Sequence, residues 1–350
     1  SAAAYVGDEV VTQFWTSIDS GRTGAGLYTF FRYNLGGTEY IIWADGTNNA
    51  SYYDGTTVTD INAAGAPADP SMVTFFKDHM FYAGMSSNKQ EVVFTAPFTS
   101  GDFTAASGAG SFLVDTVVTG LVPFREDLYV FGEDRIYKLT GTSLADFQIV
   151  PITRRIGCRN GETIQEFAGD LVFLGPDGLR TVAGTDKIGD VELGTISKPI
   201  QKIFDNLSNT AEFVSLVIPG KTQYRLFTVN SDALTETQTR GVICSRKTSG
   251  YEFAETKGIK PSCTDTAQYG GATYVLHGGF DGYVFRQEQG NDFNGTTIIG
   301  KFRSADITAG DAGVRKAFHR VLINYAPEGT LNTDLRLRYD YEAATAPQPT

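Results

Sequence analysis

The chain has 350 residues, 41% of them hydrophobic and 20% charged, with a formal charge of −11. This is an ordinary globular composition, long enough to bury a large core. So acidic a balance argues against gripping nucleic-acid phosphates, which takes an excess of Lys and Arg, and otherwise serves solubility. Gly (39), Phe (24) and Tyr (17) are abundant, which favours pleated strands and tight turns over helices. The three cysteines, Cys158, Cys244 and Cys263, are far apart and show no C-x-x-C spacing. Neither a zinc site, a redox motif nor a disulfide framework is expected, which fits a reducing compartment. No apolar run approaches about 18 residues, so no transmembrane helix is expected. Ser1-Ala2-Ala3-Ala4 lacks the basic and apolar regions of a signal peptide. The absent initiator Met and the Ala346-Pro-Gln-Pro-Thr350 ending point to processing, or to a piece of a longer chain.

In chain order, residues 1–26 read as an N-terminal strand or extension. From residue 27 a pattern recurs: an aromatic or apolar anchor, a short polar turn, then an alternating apolar strand ending at Gly. A weak first copy, Phe31-Arg-Tyr-Asn-Leu-Gly-Gly37, leads to Glu39-Tyr-Ile-Ile-Trp-Ala-Asp-Gly46. Clear copies follow as Phe76-Lys-Asp-His-Met-Phe-Tyr-Ala-Gly84, Phe124-Arg-Glu-Asp-Leu-Tyr-Val-Phe-Gly132 and Phe167-Ala-Gly-Asp-Leu-Val-Phe-Leu-Gly175. Leu216-Val-Ile-Pro-Gly-Lys221, leading to Tyr224-Arg-Leu-Phe-Thr-Val229, is looser, as is Tyr269-Gly-Gly-Ala-Thr-Tyr-Val-Leu-His-Gly278. The six anchors lie 45, 48, 43, 49 and 53 residues apart, about one four-stranded blade each. The expected fold is therefore all-β: a β-propeller of about six blades over 27–303, with the anchors at equivalent positions.

A second strand follows most copies, at Tyr53-Asp-Gly-Thr-Thr-Val58, Glu133-Asp-Arg-Ile-Tyr-Lys-Leu139, Pro176-Asp-Gly-Leu-Arg-Thr-Val182 and Phe280-Asp-Gly-Tyr-Val-Phe285. The Asp-Gly pairs predict type I′ turns joining the second and third strands of each blade. In Leu128-Tyr-Val-Phe131, Leu128 and Val130 face one way and Tyr129 and Phe131 the other. Both faces are apolar, as a blade between two neighbours requires. Leu128, Val130, Leu171, Phe173, Val275 and Val284 are expected between blades. Ser197-Lys-Pro-Ile-Gln-Lys-Ile-Phe-Asp-Asn-Leu207 predicts a helix with Ser197 as N-cap and Pro199 in its first turn. Polar, Gly-rich stretches at 62–70, 99–110 and 231–240 read as loops. After residue 304, Lys316–Tyr325 and Leu335–Tyr341 alternate without the blade motif. Residues 304–350 thus read as the start of a further β element at the C-terminus, or as an inter-subunit extension.

Chemistry-bearing motifs are sparse. His79, His277 and His319 lack metal-ligand spacing; His79 and His277 read as surface or hydrogen-bonded residues. Phosphate-binding Gly motifs and the Gly-x-Ser-x-Gly elbow are missing from their required contexts. The Asp-Gly pairs lack the further acids of a calcium loop. With only Trp15 and Trp43, the Asp-box repeats of propeller sialidases are absent. Asn49, Asn206 and Asn294 begin acceptor-type triplets, which carry no weight without a secretory signal. No catalytic residue, cofactor or metal is expected.

One succession is more specific. Thr119-Gly-Leu-Val-Pro-Phe-Arg-Glu-Asp-Leu-Tyr-Val-Phe-Gly-Glu-Asp-Arg-Ile-Tyr-Lys-Leu139 is followed by Phe147-Gln-Ile-Val-Pro-Ile-Thr-Arg-Arg-Ile-Gly-Cys158, then Gly169-Asp-Leu-Val-Phe-Leu-Gly-Pro-Asp-Gly-Leu179. In this order the segments resemble the propeller of tail nozzle (tail tubular, or stabilisation) proteins of short-tailed bacteriophages. The likeness covers 27–303 loosely and 119–180 best. It implies a non-enzymatic virion tail protein, made in the host cytoplasm and assembled as a homohexameric ring around the DNA exit channel. The ring would bind the tail adaptor and portal complex, with tail fibres as further candidate partners. Viral double-stranded DNA would pass without specific binding, and this chain would not insert in a membrane. Nozzle proteins are usually longer than this chain, and the family has no catalytic set to transfer. The loops 62–70, 99–110 and 231–240 are candidate gate elements, with Asp69, Asp102 and Glu236 as their acidic residues, because gating needs segments that reorder cheaply. The alternative reading is a carbohydrate-binding or host-recognition propeller, an adhesin or receptor-binding module.

Overall fold

The structure, a computed structural model, describes residues 2–6, 9–13, 17–23, 27–182, 195–206, 212–229, 240–290, 292–293, 295–314, 316–317, 319–324 and 332–337. It opens with an antiparallel pair, β1 (Ala2–Val6) and β2 (Glu9–Gln13). Blade one follows as β3 (Thr29–Leu35), β4 (Thr38–Ala44), β5 (Ser51–Tyr53) and β6 (Val58–Asp60). Blade two is β7 (Met72–Phe76), β8 (His79–Ala83), β9 (Glu91–Phe94) and β10 (Gly110–Leu113). Blade three is β11 (Val118–Phe124), β12 (Asp127–Gly132), β13 (Ile136–Thr140) and β14 (Gln148–Thr153). Blade four has three described strands, β15 (Gln165–Phe167), β16 (Asp170–Gly175) and β17 (Gly178–Thr181). Blade five is β18 (Glu212–Ile218), β19 (Gln223–Val229), β20 (Gly241–Lys247) and β21 (Gly250–Thr256). Blade six is β22 (Cys263–Tyr269), β23 (Ala272–Gly278) and β24 (Val284–Arg286).

These sheets form a six-bladed β-propeller. The sixth sheet recruits the N-terminus: β1 runs parallel to β24, with Ala4 opposite Val284 and Tyr5 opposite Phe285. Part of the expected N-terminal extension is therefore a blade component. All six anchors lie in the first strand of their blade. Phe76, Phe124, Phe167 and Tyr269 each end that strand, whereas Phe31 and Leu216 sit a few residues earlier in β3 and β18. First strands of successive blades touch, β3 with β7, β7 with β11, β15 with β18 and β18 with β22, which puts them at the hub. The later strands of each blade run outward to the rim.

Turn chemistry explains the hairpins, at a different place from the one predicted. Positive φ at both central residues, which marks type I′, occurs between first and second strands. It is found at Gly36-Gly37 (61° and 89°), Lys77-Asp78 (44° and 65°), Ala168-Gly169 (54° and 79°) and Gly270-Gly271 (58° and 78°). Such turns match the twist of the strands they join. At the Asp-Gly pairs only the glycine has positive φ: Gly55 at 93°, Gly178 at 137° and Gly282 at 83°. The aspartate instead accepts from the backbone ahead, Asp54 Oδ1 from the amides of Thr56 and Thr57 and Asp281 Oδ1 from that of Tyr283. A carboxylate that closes its own turn needs no left-handed backbone. Asp54-Gly55 also joins the third and fourth strands of its blade, not the second and third.

Five hydrophobic clusters each bridge one pair of successive blades, from one and two through five and six. Leu128 and Val130 pack toward blade two, while Tyr129 and Phe131 pack toward blade four. Of the six expected core residues, Leu128, Val130, Leu171, Phe173 and Val275 are buried. Val284 is not: it is 41% exposed. Among the described residues no hydrophobic cluster joins blade six to blade one, and Val284 belongs to none of the five clusters.

The predicted helix is one short helix, α1 (Gln201–Asp205), entered through a 3-10 turn at Lys198–Ile200. Ser197 makes no side-chain cap; its Oγ accepts from the Leu179 amide in blade four (3.1 Å). Phe204 packs in the core between blades four and five, with Ile200 and Ile203 against it, and Leu207 lies outside the described residues.

A second unit spans Gly290–Thr350. It holds a minimal hairpin, β25 (Asp292–Phe293) with β26 (Thr296–Thr297). The described residues from 304 onward form no strand. The alternating stretches expected as strands at 316–325 and 335–341 are only partly described, and where described they have no pairing edge. A strand needs such an edge to satisfy its backbone.

Candidate functional site

Asp69 and Asp102 are held in place by ordered contacts. Asp69 sits in the connection from β6 to β7 and accepts from both the amide and the hydroxyl of Ser86, in the next loop of blade two. Asp102 lies between β9 and β10, the outer strands of that blade, and therefore at the rim. Its carboxylate accepts from the Thr104 amide (2.9 Å), and the hydroxyl and amide of Thr104 hold it below the usual carboxylate range. Glu236 and most of loop 231–240 lie outside the described residues.

The two described loops meet. A Cβ on Gly65 would come within 3.2 Å of Phe103, and Ala66 and Phe103 pack against the same core. Ser100 ties its loop to both blades: its carbonyl accepts from Tyr82 OH (2.8 Å) and its hydroxyl pairs with Tyr33 OH (2.5 Å). Between this junction and blade one lies a cleft of about 490 Å³, with Tyr40, Tyr52, Asp60, Asn62, Ser100 and Asp102 in its wall.

Three charged clusters carried no sequence motif, and each joins a partner close in the chain to others brought from elsewhere. Arg22 bonds Asp45 and Ser51, pairs with Asp19 and lies 5.9 Å over the Trp43 ring. Arg180 binds Asp177, which also accepts from Thr195 (2.8 Å). Arg225, buried between blades five and six, pairs with Glu288 (2.6 Å) and bonds Gln287 (3.2 Å) and Gln223 (2.9 Å); Lys221 adds a second cation to Glu288. An isolated buried guanidinium would be costly, so these clusters fix loops and blades to one another.

The histidines are placed apart. His79 is buried against Phe81, Phe94 and Phe147, with Nδ1 bonded to the Thr95 carbonyl (2.6 Å). His277 stacks on Phe285 at 5.1 Å, and burial pushes its pKa down to about 4. His319 is exposed. Among the described residues no group of three or more His, Cys, Asp or Glu is arranged to hold a metal. Burial pushes the Cys158 thiol up to about 11 and that of Cys244 to about 12, whereas Cys263 is exposed on blade six. Among the described residues no helix is long and apolar enough to cross a membrane.

No protein-family model and no curated protein matches the chain. Solved structures do. The extracellular domain of a putative hybrid two-component system from B. thetaiotaomicron is 13% identical with a TM-score of 0.48, over 75% of this chain and 32% of that one. An ancestral GH74 enzyme is 8% identical with a TM-score of 0.45, over 71% and 40%. Kluyveromyces lactis Hsv2p is 11% identical with a TM-score of 0.35, over 68% and 74%. The chain spans about a third of the length of the first of these.

Proposed function

We propose that the chain is a non-enzymatic structural protein of a short-tailed phage virion, forming a ring-shaped tail nozzle around the DNA exit channel. The observation that carries this reading is the apolar exposure of described residues in the second unit. Phe302 is 94% exposed, and Ile299, Ile307 and Leu322 are also open. Apolar exposure on this scale marks an interaction surface, and a second copy or a tail partner would bury it. The ordered motifs at 119–180 supply the nozzle resemblance. The charge of −11 suits a wall past which DNA slides without sticking.

Native mass measurement with a low-resolution image of the purified particle tests the reading: a closed hexameric ring is expected, and a stable monomer overturns it. For the gate, Asp69→Lys, Asp102→Lys and Glu236→Lys together should slow ejection or impair genome retention with the ring intact. An intact ring with both properties unchanged removes the gate from the proposal. A host-recognition propeller is the second reading, and the cleft at blade one favours it.

A further inference from the structure

We infer that the cleft between blades one and two is a saccharide-binding site, for a neutral or amine-bearing sugar ring. The inference stands apart from the tail-nozzle reading, since it needs only one propeller. A sugar ring has an apolar C–H face and a rim of hydroxyls, so a site for it must offer an aromatic surface beside unspent hydrogen-bonding groups. This cleft offers both. Tyr40 and Tyr52 meet at 78° with centroids 5.7 Å apart, and Tyr40 is backed by Tyr33 at 5.3 Å, which fixes one wall of a corner.

The lining is also polar. The hydroxyls of Tyr40, Tyr52 and Thr59 and the amide of Asn62 make no hydrogen bond with the described residues. Their donors and acceptors are free for a ligand. Asp60 accepts from Ser51, and Asp102 from Thr104, each through Oδ1. Carboxylates commonly accept several bonds, so Asp60 and Asp102, which line the cleft, can accept further ones from a ligand there. Ser100 is committed to Tyr33 and Tyr82 and braces the wall. Preorganised side chains of this kind lower the cost of ordering on binding.

Charge selects among sugars. Arg22 is engaged by Asp45 and Asp19 and reaches Asp60 only at 3.8 Å. Two carboxylates facing a ligand repel uronates, sialylated sugars and phosphates, and accept hydroxyls or an ammonium group. The volume of about 490 Å³ fits one or two sugar rings, within the range of small-ligand clefts.

The test uses the purified chain with glucose, galactose, N-acetylglucosamine, glucosamine and glucuronate, each by saturation-transfer NMR and titration calorimetry. At least one of the first four should bind saturably with its C–H face in contact, and glucuronate at least tenfold more weakly. Asn62→Ala, at an exposed loop position, and Asp102→Asn, at a half-buried one that keeps an acceptor for the Thr104 amide, should each weaken that binding about tenfold at unchanged melting temperature. Tyr52→Ala should abolish it. Absence of binding by all four sugars overturns the site, as does glucuronate binding equally well. Binding that survives all three substitutions overturns it too. None of these results depends on ring assembly, so the nozzle reading stands or falls separately.

Discussion

Phe167 and Tyr269 occupy the same position in two blades: each ends a first strand and precedes a two-residue turn with positive φ at both residues. Phe167 is 2% exposed and packs on Tyr224 of blade five, whereas Tyr269 is 78% exposed. Their local chemistry is alike; what differs is the next blade. Blade four meets blade five through a continuous apolar cluster, while among the described residues none joins blade six to blade one. Blade six instead gains β1 within its own sheet, paired on β24. Backbone pairing holds a register, but side-chain burial supplies most of the stabilisation, so the two junctions should respond differently to the same insults.

The largest contrast should come from truncation. Phe167→Ala should cost about 3–5 kcal/mol and Leu171→Ala about 2–5 kcal/mol in denaturant melts, as buried large-to-small changes do. A loss below about 1 kcal/mol at either site would break the comparison at its sealed end.

Next in size is a pH effect on blade six. With His277 near 4 in the fold and near 6.5 when unfolded, the unfolded chain takes up a proton that the folded chain refuses. Stability should therefore be complete above about pH 6.5 and decline as pH falls toward 4, by on the order of 2–3 kcal/mol. His277→Phe should flatten that slope. Glu288 acts in a lower window: burial raises its pKa, but the bond from Lys221 and the charge of Arg225 outweigh this and hold it below the ordinary value. Its contribution is present above the ordinary carboxylate pKa and lost as pH falls through the lower folded value. A His277→Phe protein that keeps the slope above pH 5 would place its origin elsewhere.

Thiol labelling gives a kinetic version of the contrast. Cys263 should react with an aromatic disulfide reagent in the native protein, while Cys158 and Cys244 should wait for unfolding, because buried neutral thiols are poor nucleophiles. Prompt labelling of Cys158 would show that blades three and four open readily.

The smallest effect is expected at the seam. Tyr269→Ser and Val284→Ala should change the stability of the isolated chain by no more than about 0.5 kcal/mol. A larger loss would mean that another surface covers the seam, and concentration dependence of that loss would identify a second copy as the cover.

Much of the propeller was legible beforehand. The anchor spacing located all six first strands, and the alternation in Leu128–Phe131 assigned both faces of β12. Asp54-Gly55 was placed between the wrong pair of strands, and the Asp-Gly turns were given the wrong conformation, because aspartate can either adopt positive φ or fold its carboxylate onto the next amides. Composition cannot choose between these. The candidate acids were located only as loop residues: that Asp102 and Asn62 border one cleft follows from Ser100 bonding Tyr33, 67 residues away. Arg22, Arg180 and Arg225 carried no motif: each has a partner within three residues, but Asp45, Thr195 and Glu288 reach these clusters from elsewhere in the chain.

The strand periods, the glycine-bearing turns and the number of blades were determined by the sequence itself: the first two depend on φ preferences and side-chain alternation within about ten residues, and the third on anchors that recur every 43–53 residues. Which apolar faces are sealed, where the N-terminal strand pairs, how the buried arginines are neutralised and that two loops enclose a cleft were decided only by the tertiary structure. Those features are contacts between residues tens to hundreds of positions apart. A hydrophobic side chain is stabilised by whatever surface removes it from water, and a strand carries no record of which neighbour that will be.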